Sequence, residues 1–226
     1  MPTENHLKLL IMQLYWHGYS SIRIEAKMGD MDVTLLTDPY ENETSLRFPR
    51  TVSPDILLLS HQDRSRFNLE GVQGTPFIIS DPGEYEVKGA HVHAFQDKTV
   101  DAGEKLRPTI SRIVVEGMSL AFLGQLKRKL TSEELEQLES VDILLLPVGG
   151  GDVMDAKLAS DTIAEVEPRM VVPLYYDIPG IKAKLASVDV FCKGVGVCDR
   201  QNLPKLKISK KDLPSDTLVI SVLERA

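Results

Sequence analysis

Three unbroken apolar runs leave this chain few folds to choose from. They are Ile56-Leu57-Leu58-Leu59, Ile143-Leu144-Leu145-Leu146 and Met170-Val171-Val172-Pro173-Leu174. A strand with one wet face alternates apolar and polar residues, so a run without alternation marks a strand covered on both faces. Such strands need a layer on each side. The sequence therefore predicts an α/β chain with two mixed β-sheets packed face to face and helices on both outer surfaces.

Punctuation around the runs sharpens this reading. Leu14 to Glu25 reads as β, with Ile22 and Ile24 alternating against Arg23 and Glu25, and Gly29-Asp30 turns the chain into Val33-Thr34-Leu35-Leu36. Asp38-Pro39 ends that second strand, because proline offers no N–H to a ladder and holds the residue before it extended. Hairpins are predicted from Tyr85–Val87 to Ala90–Phe95 through Lys88-Gly89, and from Ile110–Glu116 to Ser119–Leu123 through Gly117. Thr131 with Glu134 three residues on forms a capping box for a helix ending near Ser140. Asp155 caps a helix carrying Ala156, Ala159, Ile163 and Val166. The tail predicts a helix over 181–186 and short strands over 206–209 and 217–222. No linker, repeat or low-complexity tract divides the chain, and one core can serve up to about 250 residues, so a single domain over 1–226 is expected.

Composition excludes several functions. With 42% apolar and 26% charged residues the chain has what a folded domain needs. Its net charge of −7 counts against general nucleic-acid binding, which draws on clustered Lys and Arg. The basic stretches Lys127-Arg128-Lys129 and Lys205 to Lys211 read as solvated surface. No apolar run approaches the roughly 20 residues of a membrane helix, and the start Met1 to His6 is polar, so a cytoplasmic protein without a membrane partner is expected. Cys192 and Cys198 are too few for an all-cysteine zinc site, and without an export signal they are expected to be reduced.

Polar residues gather at strand tips: Asp38, His61-Gln62-Asp63 and Tyr175-Tyr176-Asp177. With them run Tyr15-Trp16-His17-Gly18-Tyr19-Ser20-Ser21, Thr37-Asp38-Pro39, Ser60-His61, Pro82 to Gly89, Phe122-Leu123-Gly124-Gln125-Leu126, Leu130-Thr131, Pro147-Val148-Gly149-Gly150, Met154-Asp155-Ala156-Lys157 and Val171 to Tyr176, closed by Lys205 to Ser209 and Asp212-Leu213-Pro214. In this order, from about Leu14 to Leu223, the chain resembles metallo-β-lactamase-fold proteins. Within them it is most similar to the "Zn-dependent hydrolase of the β-lactamase fold" group that includes ascorbate-6-phosphate lactonase-like enzymes. The resemblance implies a four-layer αββα sandwich.

It also implies one or two metal ions, held by a His-x-His-x-Asp-His loop, a further His, an Asp in a Leu-Gly-Asp motif and a His in a Pro-Met-His-Tyr-like motif. Here the loop reads His61-Gln62-Asp63-Arg64-Ser65-Arg66, so only His61 matches, and Asp63, Ser65 and Arg66 stand where His, Asp and His are expected. Gln125 replaces the Asp, Tyr175 the last His, and Gln96 to Val100 contains no His. Zinc needs about three or four neutral imidazole, carboxylate or thiolate ligands, and a guanidinium repels it. The expected former metal site comprises Asp38, His61, Asp63, Ser65, Arg66, Gln125 and Tyr175, with Arg66 pairing with Asp38 or Asp63 in place of the ion. No cofactor is expected; the alternative is zinc or another divalent metal on His61 and Asp63.

The resulting expectation is a protein related to Zn-dependent hydrolases that binds an unidentified small molecule or protein without catalysis. Two alternatives remain. One is a metal-dependent hydrolase of phosphoesters or lactones using His61, Asp63 and Asp38; the other is an RNA-binding relative using the basic stretches. A homo-oligomer is compatible with either. His91 and His93 share a strand face and read as solvent-facing, and His17 as a structural histidine. Gly149-Gly150-Gly151-Asp152 reads as a strand-to-helix turn because it lacks the ending of a phosphate loop, and Ser60 beside His61 lacks an acid to orient the pair.

Overall fold

The computed structural model describes residues 11–42, 46–96, 107–196 and 198–226. The chain's polar start and all but Gln96 of the segment Gln96 to Val100, where the resemblance puts a histidine, lie outside the described residues. Fourteen strands form two sheets among them. The first contains β1 (Met12–Gly18), β2 (Ser21–Met28), β3 (Met31–Thr37), β4 (Ile56–Leu58) and β5 (Phe77–Ile79). The second contains β6 (Gly83–Val87), β7 (Ala90–Phe95), β8 (Ile110–Val115), β9 (Met118–Phe122), β10 (Ile143–Pro147), β11 (Met170–Leu174) and β12 (Asp199–Leu203). From the end of the chain β13 (Leu206–Ile208) joins the first sheet beside β1, and β14 (Val219–Leu223) enters the second between β12 and β11.

Both sheets are mixed, as expected. Strands β1 to β3 pair antiparallel and β3 to β5 parallel; β6 to β9 pair antiparallel, whereas β9, β10, β11 and β14 run parallel. The three apolar runs become β4, β10 and β11, each buried along its length. Alternation still sorts them within the layers. Ile56 and Leu58 enter the core between the sheets, while Leu57 and Leu59 turn outward into a second cluster with Leu36, Tyr40, Leu46, Phe48, Val52 and Phe67. The outer face of the first sheet is thus sealed by coil and by 3-10 turns at 64–66 and 69–71. The α-helices lie against the second sheet: α1 (Ser132–Gln137), with the capping box in place, α2 (Ala156–Val166), capped by Asp155, and α3 (Val188–Val195).

Several expectations need correction. No helix forms over 181–186; Ala186 is held extended, its N–H donating to Gly149 and its carbonyl accepting from Asp177. The helix begins two residues later, where Val188, Phe191, Cys192 and Val195 follow helical spacing. Strands β5 and β12 were not expected, being respectively three residues long and polar. Leu14 to Glu25 is two strands, broken at Tyr19-Ser20. Cys192 and Cys198 are not reduced but joined in a disulfide, their Cα atoms brought to 5.5 Å across a glycine-rich turn. Among the described residues no helix is long and apolar enough to cross a membrane.

Candidate functional site

Loops at the ends of β1, β3 and β11 enclose a cleft of about 270 Å³, lined by Tyr19, Ser20, Asp38, Tyr40, Arg66, Gln125 and Tyr175 among others. Three of these, Tyr19 (φ 48°), Asp38 (φ 33°) and Tyr175 (φ 55°), adopt the left-handed backbone that L-residues avoid. Asp38 was expected to be extended before Pro39. Each such residue costs about 1 kcal/mol or more and persists only where its surroundings over-determine it. Here they do: the Tyr19 carbonyl accepts from the Tyr175 N–H and the Trp16 indole, both at 2.9 Å.

Asp38 forms the floor of the cleft and is 2% exposed. Its Oδ2 accepts from the hydroxyls of Ser20 (2.7 Å) and Ser60 (2.6 Å), and its Oδ1 from the Ser60 N–H (2.8 Å). The carboxyl thus clamps the chain leaving β4 to the turn after β1. Gly124 permits this packing, since a Cβ there would collide with the Ser60 side chain. Burial pushes the Asp38 carboxyl up to about 6, against the bonds from Ser60, Ser20 and Gln125 that hold it down. No cation offsets that burial, which contradicts the expected ion pair with Arg66.

The loop His61 to Arg66, where the resemblance puts metal ligands, goes elsewhere. Asp63 is fully exposed and caps its own 3-10 turn, accepting from the Ser65 N–H (3.1 Å) and hydroxyl (2.6 Å), which holds its carboxyl below the usual range. Ser65 is spent on that cap. The guanidinium of Arg66 reaches the Gln125 Oε1 at 3.5 Å rather than either carboxylate. His61 is 5% exposed, bridged to Pro108, with its ring against Phe67 and its Nδ1 buried without a partner among the described residues. Burial and then the Arg66 charge push it down to about 4, so it is neutral at pH 7. The expected set therefore divides: Asp38, Arg66, Gln125 and Tyr175 share the cleft, while His61, Asp63 and Ser65 do not line it.

Tyr19, Ser20 and Tyr40 were missed as site residues. Their signal was position, immediately after the β1 tip and after Asp38-Pro39. The Tyr19 ring meets Tyr175 at 5.1 Å and Tyr40 at 5.3 Å, both edge to face. Burial, followed by the charges of Tyr19, Asp152 and Asp38, pushes the Tyr175 phenol up to about 12, so it keeps its proton.

Candidates outside the cleft behave as surface or scaffold. Arg128 is held bidentately by Glu134 at 2.7 Å, and Lys127 approaches Asp152 at 4.0 Å. His91 has an acidic neighbour, Glu86 at 3.9 Å, on an exposed hairpin face. His17 is buried, which pushes it down to about 4.

Two mixed sheets sharing one core, with polar strand tips gathered at a cleft, define a β-lactamase-type sandwich. Residues 13–175 match the model of the beta-lactamase superfamily domain, and the chain belongs to that family. Among curated relatives, a UPF0173 metal-dependent hydrolase of Salinibacter ruber is 27% identical over 196 residues, 74% of this chain and 85% of the relative. A UPF0173 protein of Pyrococcus abyssi is 23% identical over 193 residues, 75% of this chain and 85% of its own length. Among solved structures, a protein of Thermotoga maritima described as a Zn-dependent hydrolase of the metallo-beta-lactamase superfamily superposes with TM-score 0.75 at 25% identity, covering 94% of this chain and 100% of that one. Igni18, a metallo hydrolase of Ignicoccus hospitalis, shares the fold at TM-score 0.57 and 19% identity over 82% of this chain and 91% of its own.

These relatives imply a metal, and the donor set of the cleft does not fit one. Its lining offers a guanidinium, an amide, a protonated phenol, the exposed carboxylate of Glu41 at the rim, and the Asp38 carboxyl already bonded to two hydroxyls and an N–H. Among the described residues no three His, Cys, Asp or Glu side chains gather closely enough to hold an ion.

Proposed function

We propose that this chain is a β-lactamase-fold protein whose cleft binds a small molecule without a metal and without hydrolysing it. One observation carries the reading. Arg66 Nη2 stands 3.5 Å from Gln125 Oε1, so the two positions where the resemblance puts a His and an Asp ligand hold a cation and a neutral amide in contact with each other. A divalent ion placed between them would meet a fixed positive charge and gain no anionic donor. The cleft's volume of about 270 Å³ favours a small molecule over a protein segment as occupant, since it lies near the lower end of the roughly 300–1,000 Å³ of small-molecule pockets.

A working metal-dependent hydrolase, as the relatives are named, would have to draw ligands from outside the described residues. Thermal melting with and without zinc tests the point. The parent chain should melt at the same temperature in both. The five-fold variant Asp63→His, Ser65→Asp, Arg66→His, Gln125→Asp, Tyr175→His should gain stability from zinc by mass action. Stabilisation of the parent by zinc would overturn the proposal.

A further inference from the structure

The groups lining the cleft divide by hydrogen-bonding role. Apart from Glu41, exposed at the rim, its acceptors are largely spent. Both Asp38 oxygens are occupied by Ser20 and Ser60, Gln125 Oε1 faces Arg66, and the Pro39 carbonyl takes the Asn68 N–H at 2.9 Å. The Tyr40 hydroxyl lies 2.9 Å from the His17 carbonyl and 3.1 Å from that of Arg47, so its proton is committed as well. Two donors remain. Arg66 makes only the long contact to Gln125 and has no carboxylate at ion-pairing distance among the described residues. The Tyr175 phenol is engaged by no described group and keeps its proton. Beside both stand the rings of Tyr19, Tyr40 and Tyr175.

We propose that the cleft takes a small organic anion, whose carboxylate or phosphate oxygens accept from Arg66 and the Tyr175 hydroxyl while its planar apolar body lies against the tyrosine rings. The inference rests on the metal-free reading given above. A guanidinium matches the two oxygens of either anionic group, and a planar body suits aromatic walls. The size limits the ligand to about one ring and one anionic group. Glu41, exposed at the rim, opposes an anion, which gives the proposal a second sign to test.

Benzoate, phenyl phosphate, benzyl alcohol and benzamidine, titrated by calorimetry into chelator-treated full chain, share one ring and differ in the group attached. At least one of the two anions should bind, and the tighter one separates carboxylate from phosphate. Benzyl alcohol should bind at least about tenfold more weakly, the equivalent of one charge-assisted hydrogen bond, and benzamidine not at all. Arg66→Gln should weaken the preferred anion about tenfold and Tyr175→Phe about threefold, whereas Glu41→Gln should tighten it about twofold, with melting temperatures close to the parent's. Benzamidine binding as tightly as benzoate, no anion binding at all, or Arg66→Gln binding like the parent would overturn the inference. If anions bind only once zinc is restored, the metal-free reading fails and this inference with it. If neither zinc nor anion binds, this inference alone fails.

Discussion

Asp38 follows β3 directly and Asp63 lies in the loop after its neighbour β4, yet they meet opposite fates. Asp38 is buried under two serine hydroxyls and a backbone N–H, at a strained φ, and its carboxyl is pushed up to about 6. Asp63 faces water, bonds only to its own turn, and is held below the usual range. The difference separates a carboxyl that shapes the cleft from one that only caps its own turn. A carboxylate that holds two loops together is needed whatever the cleft binds. One that only caps its own exposed turn is free to change.

The comparison can be broken first at Asp38. Asp38→Ala would strand two buried hydroxyls and an N–H, and should cost about 4 kcal/mol in urea unfolding. A loss below about 1 kcal/mol would mean that the clamp is not structural. Gly124→Ala adds a Cβ that meets the Ser60 side chain, at a φ of +56°. It should cost about 3 kcal/mol by the same measurement, from backbone strain and forced repacking together.

Acid titration sharpens the contrast. The folded pKa of Asp38, about 6, lies above its ordinary 3.8, so its stabilising contribution is complete below about pH 4 and is lost as pH rises through 6. His17 and His61, pushed from 6.5 to about 4, contribute in the opposite sense: fully above pH 6.5, and lost as pH falls through 4. Unfolding of Asp38→Asn followed from pH 7 to 4 should therefore show its deficit relative to the parent widening by about 2 kcal/mol, and His61→Gln should soften the parent's acid loss. A deficit independent of pH would mean that Asp38 is not perturbed. The smallest effect belongs to Asp63→Asn, which should stay within about 0.5 kcal/mol of the parent; a larger loss would erase the contrast between the two aspartates.

Much of the fold was legible because burial on both faces leaves a mark in sequence. The runs at Ile56, Ile143 and Met170 became buried strands, and the Thr131–Glu134 capping box formed. The failures were local. The segment 181–186 has helix-forming residues, but Ala186 is tied to Gly149 and Asp177 by tertiary backbone bonds that override propensity. The polar β12 carries no alternation to read. In the site, the strand-tip logic brought Asp38, Arg66, Gln125 and Tyr175 together. What it could not give was side-chain direction: the turn of Asp63 and Ser65 into their own cap, the withdrawal of His61 behind Phe67, and the choice of Gln125 over a carboxylate by Arg66. These depend on a few local hydrogen bonds that no residue spacing encodes.

Metal content tests the central claim most directly. The 226-residue chain, produced in zinc-supplemented medium and purified without chelator, should carry less than about 0.1 transition-metal ion per chain by elemental analysis, because beside a guanidinium, an amide and a phenol the cleft offers only the already bonded Asp38 carboxyl and Glu41 at the rim, where a tight site needs three or four imidazole or anionic ligands. About one zinc, iron or manganese ion per chain, retained through gel filtration, would contradict the account and return the protein to the metal-dependent hydrolases it resembles.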